Sequence, residues 1–206
     1  MNKPEVSRAS LGRLPLYLEV LKKLQLQNQK SVSAPVIARE LGLGEVQVRK
    51  DLCAVSGAGK PKVGYDTNGL VRTLEEFLGY SHPNTAVIIG AGKLGRALLD
   101  YGGFADYGLE IAAAFDKACS KTLVSETGKP IYPISIFDGY CQSHPVNIAI
   151  ITVPCDAAQE VCGAVVKNRI KAIWSFAGAR LKVPEDVTVQ YENLALSLAY
   201  LNKQIL

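Results

Sequence analysis

Residues 90–95 read Gly90-Ala91-Gly92-Lys93-Leu94-Gly95 and follow directly on the apolar run Val87-Ile88-Ile89. Three glycines at this Gly-x-Gly-x-x-Gly spacing suit the holding of a pyrophosphate. Gly90 lets the chain turn sharply off a strand, and Gly92 lets backbone approach the anion. Gly95 lets a following helix pack closely on the strand. The first amides of that helix and its dipole would carry the negative charge. Twenty-one residues after Gly95 the next apolar run, 109–115, ends in Asp116, with Lys117 behind it. An acid there would take the adenosine ribose hydroxyls and repel a 2′-phosphate, so the spacing points to NAD(H) over NADP(H).

Such a site needs a parallel sheet to hold it. Residues 146–153 are almost continuously apolar and β-branched, as expected of a strand buried on both faces. A helix from about 156 to 168 separates it from a second apolar run at 170–176. Thr152-Val153-Pro154 and Ser175-Phe176 therefore fall at carboxyl ends of strands, where ligands bind in open α/β sheets. In the final segment, 192–206, Leu194, Leu198, Leu201 and Ile205 form one helical stripe, with Leu196 and Tyr200 off it. So apolar a helix wants more cover than one stripe needs, which docking on a second subunit would supply and packing back onto its own domain would supply in part; in the first case Leu194 and Leu198 are interface residues.

The first part of the chain reads differently. Leu11, Leu14, Leu18, Leu21 and Leu24 recur at helical steps. Ser33 stands as a cap ahead of Pro35, Gly42-Leu43-Gly44 turns the chain, and 45–52 makes a further helix. A helix, a glycine turn and a second helix are the parts of a helix-turn-helix. In its second helix Val46, Leu52 and Cys53 are expected to face the core, leaving Gln47, Arg49 and Lys50 for a DNA groove and its phosphates. Residues 56–70 then suggest a hairpin wing around glycine and Asn68-Gly69 turns, carrying Lys60 and Lys62. Residues 1–80 hold 12 Lys and Arg against 8 Asp and Glu, whereas 81–206 hold 11 of each, so the net charge of +4 belongs wholly to the first part. That asymmetry suits a nucleic-acid module joined to a neutral ligand domain. The boundaries expected are a winged helix-turn-helix at 1–80, a Rossmann domain at 84–190 and a C-terminal dimerisation helix at 191–206.

With 48% hydrophobic and 20% charged residues, the chain can bury a core. It shows no signal-peptide pattern and no apolar run long enough to span a bilayer. The five cysteines include no Cys-x-x-Cys pair and read as small buried hydrophobes of a reducing cytoplasm. No Cys/His metal cluster is evident. An NAD-dependent oxidoreductase would need a positioned acid or base. The two histidines, His82 and His144, each precede a proline in a loop, and Tyr-x-x-x-Lys does not occur. Enzyme chemistry is therefore not expected. A CoA- or nucleotide-binding module with a protein-docking N-terminal part would keep the same glycines.

Several stretches together carry a family resemblance. They are Gly12-Arg13-Leu14-Pro15-Leu16-Tyr17, Val46-Gln47-Val48-Arg49-Lys50-Asp51-Leu52 and Val63-Gly64-Tyr65-Asp66. The Rossmann glycines with Tyr101 and Phe104 after them, and Thr152-Val153-Pro154, extend the match. In these stretches the chain resembles the Rex family of redox-sensing transcriptional repressors along nearly its whole length. The resemblance implies a homodimer on a two-fold symmetric DNA operator, NAD(H) as cofactor, and a C-terminal helix swapped between subunits near the nicotinamide. It brings Arg13 and Tyr65 into the expected DNA-binding set and Tyr101 into the cofactor set. Where the family carries a switch arginine after Tyr17 and an aspartate opening the last helix, this chain has Glu19 and Asn193. The family's Asn-Phe-x-Pro at the late strand end reads Ser175-Phe176-Ala177-Gly178 here.

Overall fold

The computed structural model describes residues 6–61, 63–80 and 84–205, and the chain divides into two compact units, 1–82 and 83–206. The first unit starts with α1 (Arg8–Leu26), whose N-cap Ser7 accepts from the Ser10 amide. After β1 (Ser31–Val32) come α2 (Ala34–Leu41) and α3 (Glu45–Ser56), then β2 (Tyr65–Asp66) and α4 (Thr67–Leu78). Gly42 ends α2 in the left-handed region at φ 63°, and the Leu43 amide returns to the Ala38 carbonyl. This closure sets the angle between α2 and α3 and makes them the helix-turn-helix. Leu14, Tyr17, Leu18 and Leu21 of α1 meet Ile37, Val48, Leu52, Leu70 and Leu74 in one core.

Two expectations change here. In α3 the core face is Val48, Asp51 and Leu52, whereas Val46 is 63% exposed and Cys53 is also exposed. The helix starts at Glu45, and its phase carries 48, 51, 52 and 55 inward while turning 46 and 53 away. Asn68-Gly69 is no hairpin turn. Asp66 accepts from the Gly69 amide at 2.6 Å, and this cap starts α4. β2 pairs antiparallel with β1, which precedes α2, and Lys60 and Gly64 form an antiparallel bridge through two backbone hydrogen bonds of 2.8 Å, so the local pairing of the wing lies there and not around Asn68-Gly69.

The second unit holds a seven-stranded sheet. Its strands are β3 (Asn84–Ile89), β4 (Leu109–Asp116), β5 (Leu123–Val124), β6 (Pro130–Pro133), β7 (Ile148–Ile151), β8 (Ala172–Ser175) and β9 (Thr188–Tyr191). The order is β5-β6-β4-β3-β7-β8-β9, parallel except for β5. From β3 the chain winds outward to β4 and β6, then returns to the centre and winds the other way through β7, β8 and β9. The reversal between β3 and β7 is the switch point of a doubly wound fold. Val87, Ile89, Phe115 and Ile151 face Phe137 of α6 (Phe137–Ser143) and Ala158, Cys162 and Val165 of α7 (Cys155–Lys167). Ala86, Ile88, Ile111 and Ile150 pack on the other side, against Leu99 of α5 (Lys93–Asp100). Both faces are covered, which explains why the central strands are apolar throughout.

The last helix, α8 (Leu194–Gln204), stands apart from this packing. Asn193 caps it by accepting from the Leu196 amide at 3.1 Å. Leu194, Leu196, Leu198, Tyr200, Leu201 and Ile205 are all exposed, between 60% and 82%. The helix does not bury its apolar face on its own unit. Of the cysteines, only Cys162 is buried and Cys53 and Cys155 are exposed, so the expectation of five buried thiols does not hold. Among the described residues no helix is long and apolar enough to cross a membrane, and no group of His, Cys, Asp and Glu is placed to hold a metal.

Candidate functional site

At the switch point β3 ends and the chain enters the glycine loop at Gly90, whose φ of 106° suits glycine. The Thr152 hydroxyl, at the carboxyl end of β7, donates to the Gly90 carbonyl at 2.6 Å and fixes the loop from the neighbouring strand. Arg96, in the first turn of α5, donates to the Ala91 carbonyl at 2.9 Å and braces the loop from the other side. A Cβ on Gly95 would lie 1.9 Å from the Gly90 carbonyl oxygen, so only glycine allows α5 to sit this close to the loop. Gly92 differs: a Cβ there meets nothing within 4 Å. No side chain caps α5, and Lys93 and Leu94 of its first turn are exposed, leaving an open anion site at the helix start.

A cavity of about 410 Å³ opens beside the loop, lined by Gly90, Gly92, Asp116, Lys117 and Thr152-Val153-Pro154. Ile89, Phe115 and Ile134 give it an apolar wall, with Ala157 and Val161 of α7. Asp116 sits at its rim, accepting from the Ala91 amide at 2.6 Å and the Ala118 amide at 2.7 Å. The carboxylate thus ties the end of β4 to the glycine loop as well as facing the cavity. Other expected residues lie elsewhere. Ser175 is buried within the sheet and its hydroxyl has no hydrogen-bond partner. Phe176 stacks at an angle on Trp174, and Tyr101 is exposed against the edge of Phe104.

In the first unit Gln47, Arg49 and Lys50 project from the exposed side of α3. Arg49 pairs with Glu45 one turn earlier. Beside them a cavity of about 590 Å³ runs between α3 and the wing, lined by Arg49, Cys53, Lys60 and Tyr65. Gly64 closes the wing at φ 85°, and a Cβ there would lie 2.2 Å from the Val32 carbonyl oxygen. Lys62 and His82 lie outside the described residues. His144 ends α6 with its ring stacked on Tyr140.

Arg13 turns inward rather than out. Its Nε and an Nη donate to the two carboxylate oxygens of Asp51 at 2.8 and 3.0 Å, and the Tyr17 hydroxyl donates to the same group at 2.7 Å. With its amide rotated, Gln47 also accepts from Arg13. Burial pushes the Asp51 carboxyl up, but hydrogen bonds from Arg13, Tyr17 and Ser10 outweigh it and hold the group below its usual value. Burial, then the Asp51 contact, pushes the Tyr17 phenol up to about 12. The three side chains pin α3 to α1 at the point where the exposed face of α3 begins. Asp51 and Thr152 fall within stretches that the sequence singles out, but the carboxylate's hold on Arg13, the Thr152 lock and the Arg96 brace are visible only in the fold.

Two family models match: residues 5–53 match "Putative DNA-binding protein N-terminus" and residues 81–179 match "CoA binding domain". The redox-sensing transcriptional repressor Rex of Treponema denticola is 42% identical over 98% of this chain and 96% of its own length. This chain belongs to the Rex family. Among solved structures, the Rex-family repressor RSP in complex with NAD⁺ and operator DNA superposes with a TM-score of 0.90 at 29% identity, covering 98% of this chain and 93% of that one. RSP in complex with NADH gives 0.83 over 97% and 94%. The winged helix-turn-helix followed by a Rossmann-type parallel sheet is thus the architecture of the Rex family.

Proposed function

We propose that this chain is a homodimeric transcriptional repressor that binds a two-fold symmetric operator and reads the NADH/NAD⁺ ratio through its Rossmann unit. The observation that carries this is the union of two sites in one chain: an exposed, basic α3 beside a wing, and an uncapped glycine-loop helix opening on a rimmed cavity. Relatives in complex with operator DNA, NAD⁺ and NADH support it. In this reading residues 1–80 bind DNA, 84–190 bind the nucleotide and 191–206 join the subunits. The protein works in the cytoplasm beside its operators and turns nothing over. NAD(H) stays intact while its redox state selects between two dimer shapes, which requires unequal affinity for them.

The pyrophosphate lies on the amides at Gly92, Lys93 and Leu94, and the adenosine half enters the cavity with its ribose hydroxyls toward Asp116. NAD(H) should therefore bind well above NADP(H), whose 2′-phosphate would meet a like charge. Gly92→Ala should weaken NADH binding at least tenfold without changing the unfolding midpoint, because its methyl occupies only the anion's space. Gly95→Ala should instead lower stability by about 1–3 kcal/mol. Calorimetric titration alongside urea unfolding separates the two effects. Equal losses of stability in both would contradict the assignment. Added CoA, which also carries an adenosine and a pyrophosphate, should compete only weakly.

Gln47, Arg49 and Lys50 face the major groove, with Lys60, Lys62 and Tyr65 at the wing. Lys60→Ala should weaken binding to every sequence and lower the slope of log affinity against log salt by about one. Arg49→Ala should cost about 1–3 kcal/mol on the operator if it reaches a guanine edge. Binding that ignores sequence and survives both changes would refute the assignment. The function as a whole is tested by measuring operator affinity as NADH is raised at fixed NAD⁺.

Glu19 and Asn193 cannot form the charged pair for which the family's arginine and aspartate are suited. Asn193 still caps α8, which asparagine does as well as aspartate. The helix start survives the exchange and the charge does not. Discrimination between the two redox states must then draw on other residues of this chain.

A further inference from the structure

On the edge formed by β8 and β9, Trp174 lies in register with Gln190 and Ser175 with Tyr191, and Glu192 follows directly. The Glu192 amide donates to the Ser175 carbonyl at 2.8 Å, extending the ladder. Its carboxylate accepts from the Trp174 indole at 3.2 Å and from the Gln190 amide at 3.4 Å. Phe176 lies 4.6 Å from Trp174 at 60°, and Phe104 meets Trp174 edge-on at 5.9 Å. Trp174, Phe176, Phe104 and Glu192 are all half-buried, and among the described residues no Lys or Arg forms an ion pair with Glu192. A carboxylate without a counter-ion, hydrogen-bonded at the edge of an indole within a cluster of aromatic rings, attracts a flat organic cation.

This group stands at the carboxyl ends of the strands in the second half of the sheet. In a doubly wound fold that half takes the second mononucleotide, here the nicotinamide. The oxidised ring carries a positive charge and the reduced ring does not. Resting on the nucleotide assignment above, we propose that Glu192, hydrogen-bonded to the Trp174 indole, is a specificity determinant that favours the oxidised ring. It thereby raises the NADH/NAD⁺ ratio at which this repressor responds. Glu192 is half-exposed, so screening reduces the Coulomb term, and the charge is expected to favour NAD⁺ by about tenfold.

The test is Glu192→Gln in the full-length protein, since glutamine keeps the acceptor for the indole and removes only the charge. Dissociation constants are measured for NAD⁺, NADH and ADP-ribose. NAD⁺ should weaken about tenfold while NADH and ADP-ribose hold, and Glu192→Lys should widen the gap. In the unaltered protein, added salt should weaken NAD⁺ more than NADH. If glutamine shifts both nucleotides equally or neither, or if salt leaves their ratio unchanged, Glu192 does not set the preference. If the unaltered protein binds none of the three, the glycine-loop assignment itself has failed, and this proposal with it.

Discussion

Replacing Arg13 with alanine is expected to lower the stability of the N-terminal unit by about 3–5 kcal/mol, the usual result of leaving one partner of a buried ion pair alone. Asp51 is 5% exposed and takes both of its strongest contacts from Arg13 and Tyr17. The pH dependence should flatten as well. In the unaltered protein the Asp51 carboxyl is held below its unfolded value, so its contribution is present at neutral pH and is lost as pH falls through the folded value. Without Arg13, the hydrogen bond and charge that most lower the carboxyl are gone, leaving Tyr17 and Ser10 to oppose burial, so the carboxyl rises toward its unfolded value. The variant should then lose less stability than the unaltered protein as pH falls from 7 toward about 4. Urea unfolding at both pH values decides the matter. Equal slopes in the two proteins would mean that the pair does not hold α3 on α1.

Breaking the apolar face of α8 should have the largest effect on DNA binding. Fully burying each of its leucines contributes about 1.5–3 kcal/mol, and four of them stand mostly in solvent on the single chain. A second copy of the chain would supply the cover. Leu198→Glu with Leu201→Glu should convert the dimer to monomers and reduce operator affinity by about 10³ or more, because one half-site is lost. ADP-ribose binding should persist, since the glycine loop and its cavity lie wholly within one chain. Sedimentation and operator titration of the double variant test this. An unchanged dimer would place the interface elsewhere.

The central sheet was legible because its strands are buried on both faces and therefore announce themselves as unbroken apolar runs. The edge strands β5 and β9, and β6 next to β5, were not. They span only two to four residues, too short for an apolar run to stand out. The phase of α3 was misjudged because Val46 looks like a core residue, whereas the side chain that faces inward is a carboxylate. Sequence has no sign for a buried aspartate until its arginine, 38 residues earlier, is seen to reach it. Asn68-Gly69 misled for a similar reason: a common turn dipeptide became the first turn of a helix once Asp66 capped it. In the candidate site, the glycines and Asp116 could be read in advance because their spacing follows from backbone geometry. Thr152 could be placed at a strand end, but not tied to Gly90. Glu192 could not be connected with Trp174 at all, because β9 had not been foreseen.

The Thr152–Gly90 hydrogen bond has a kinetic consequence. A loop already tied to the neighbouring strand and to Asp116 has no conformational search left to make when a nucleotide arrives. Little ordering cost is deferred to the encounter, so capture and escape can both be fast, and occupancy relaxes quickly after any change in the pool. Such a protein carries no memory of an earlier redox state: what it reports at the promoter is the present one.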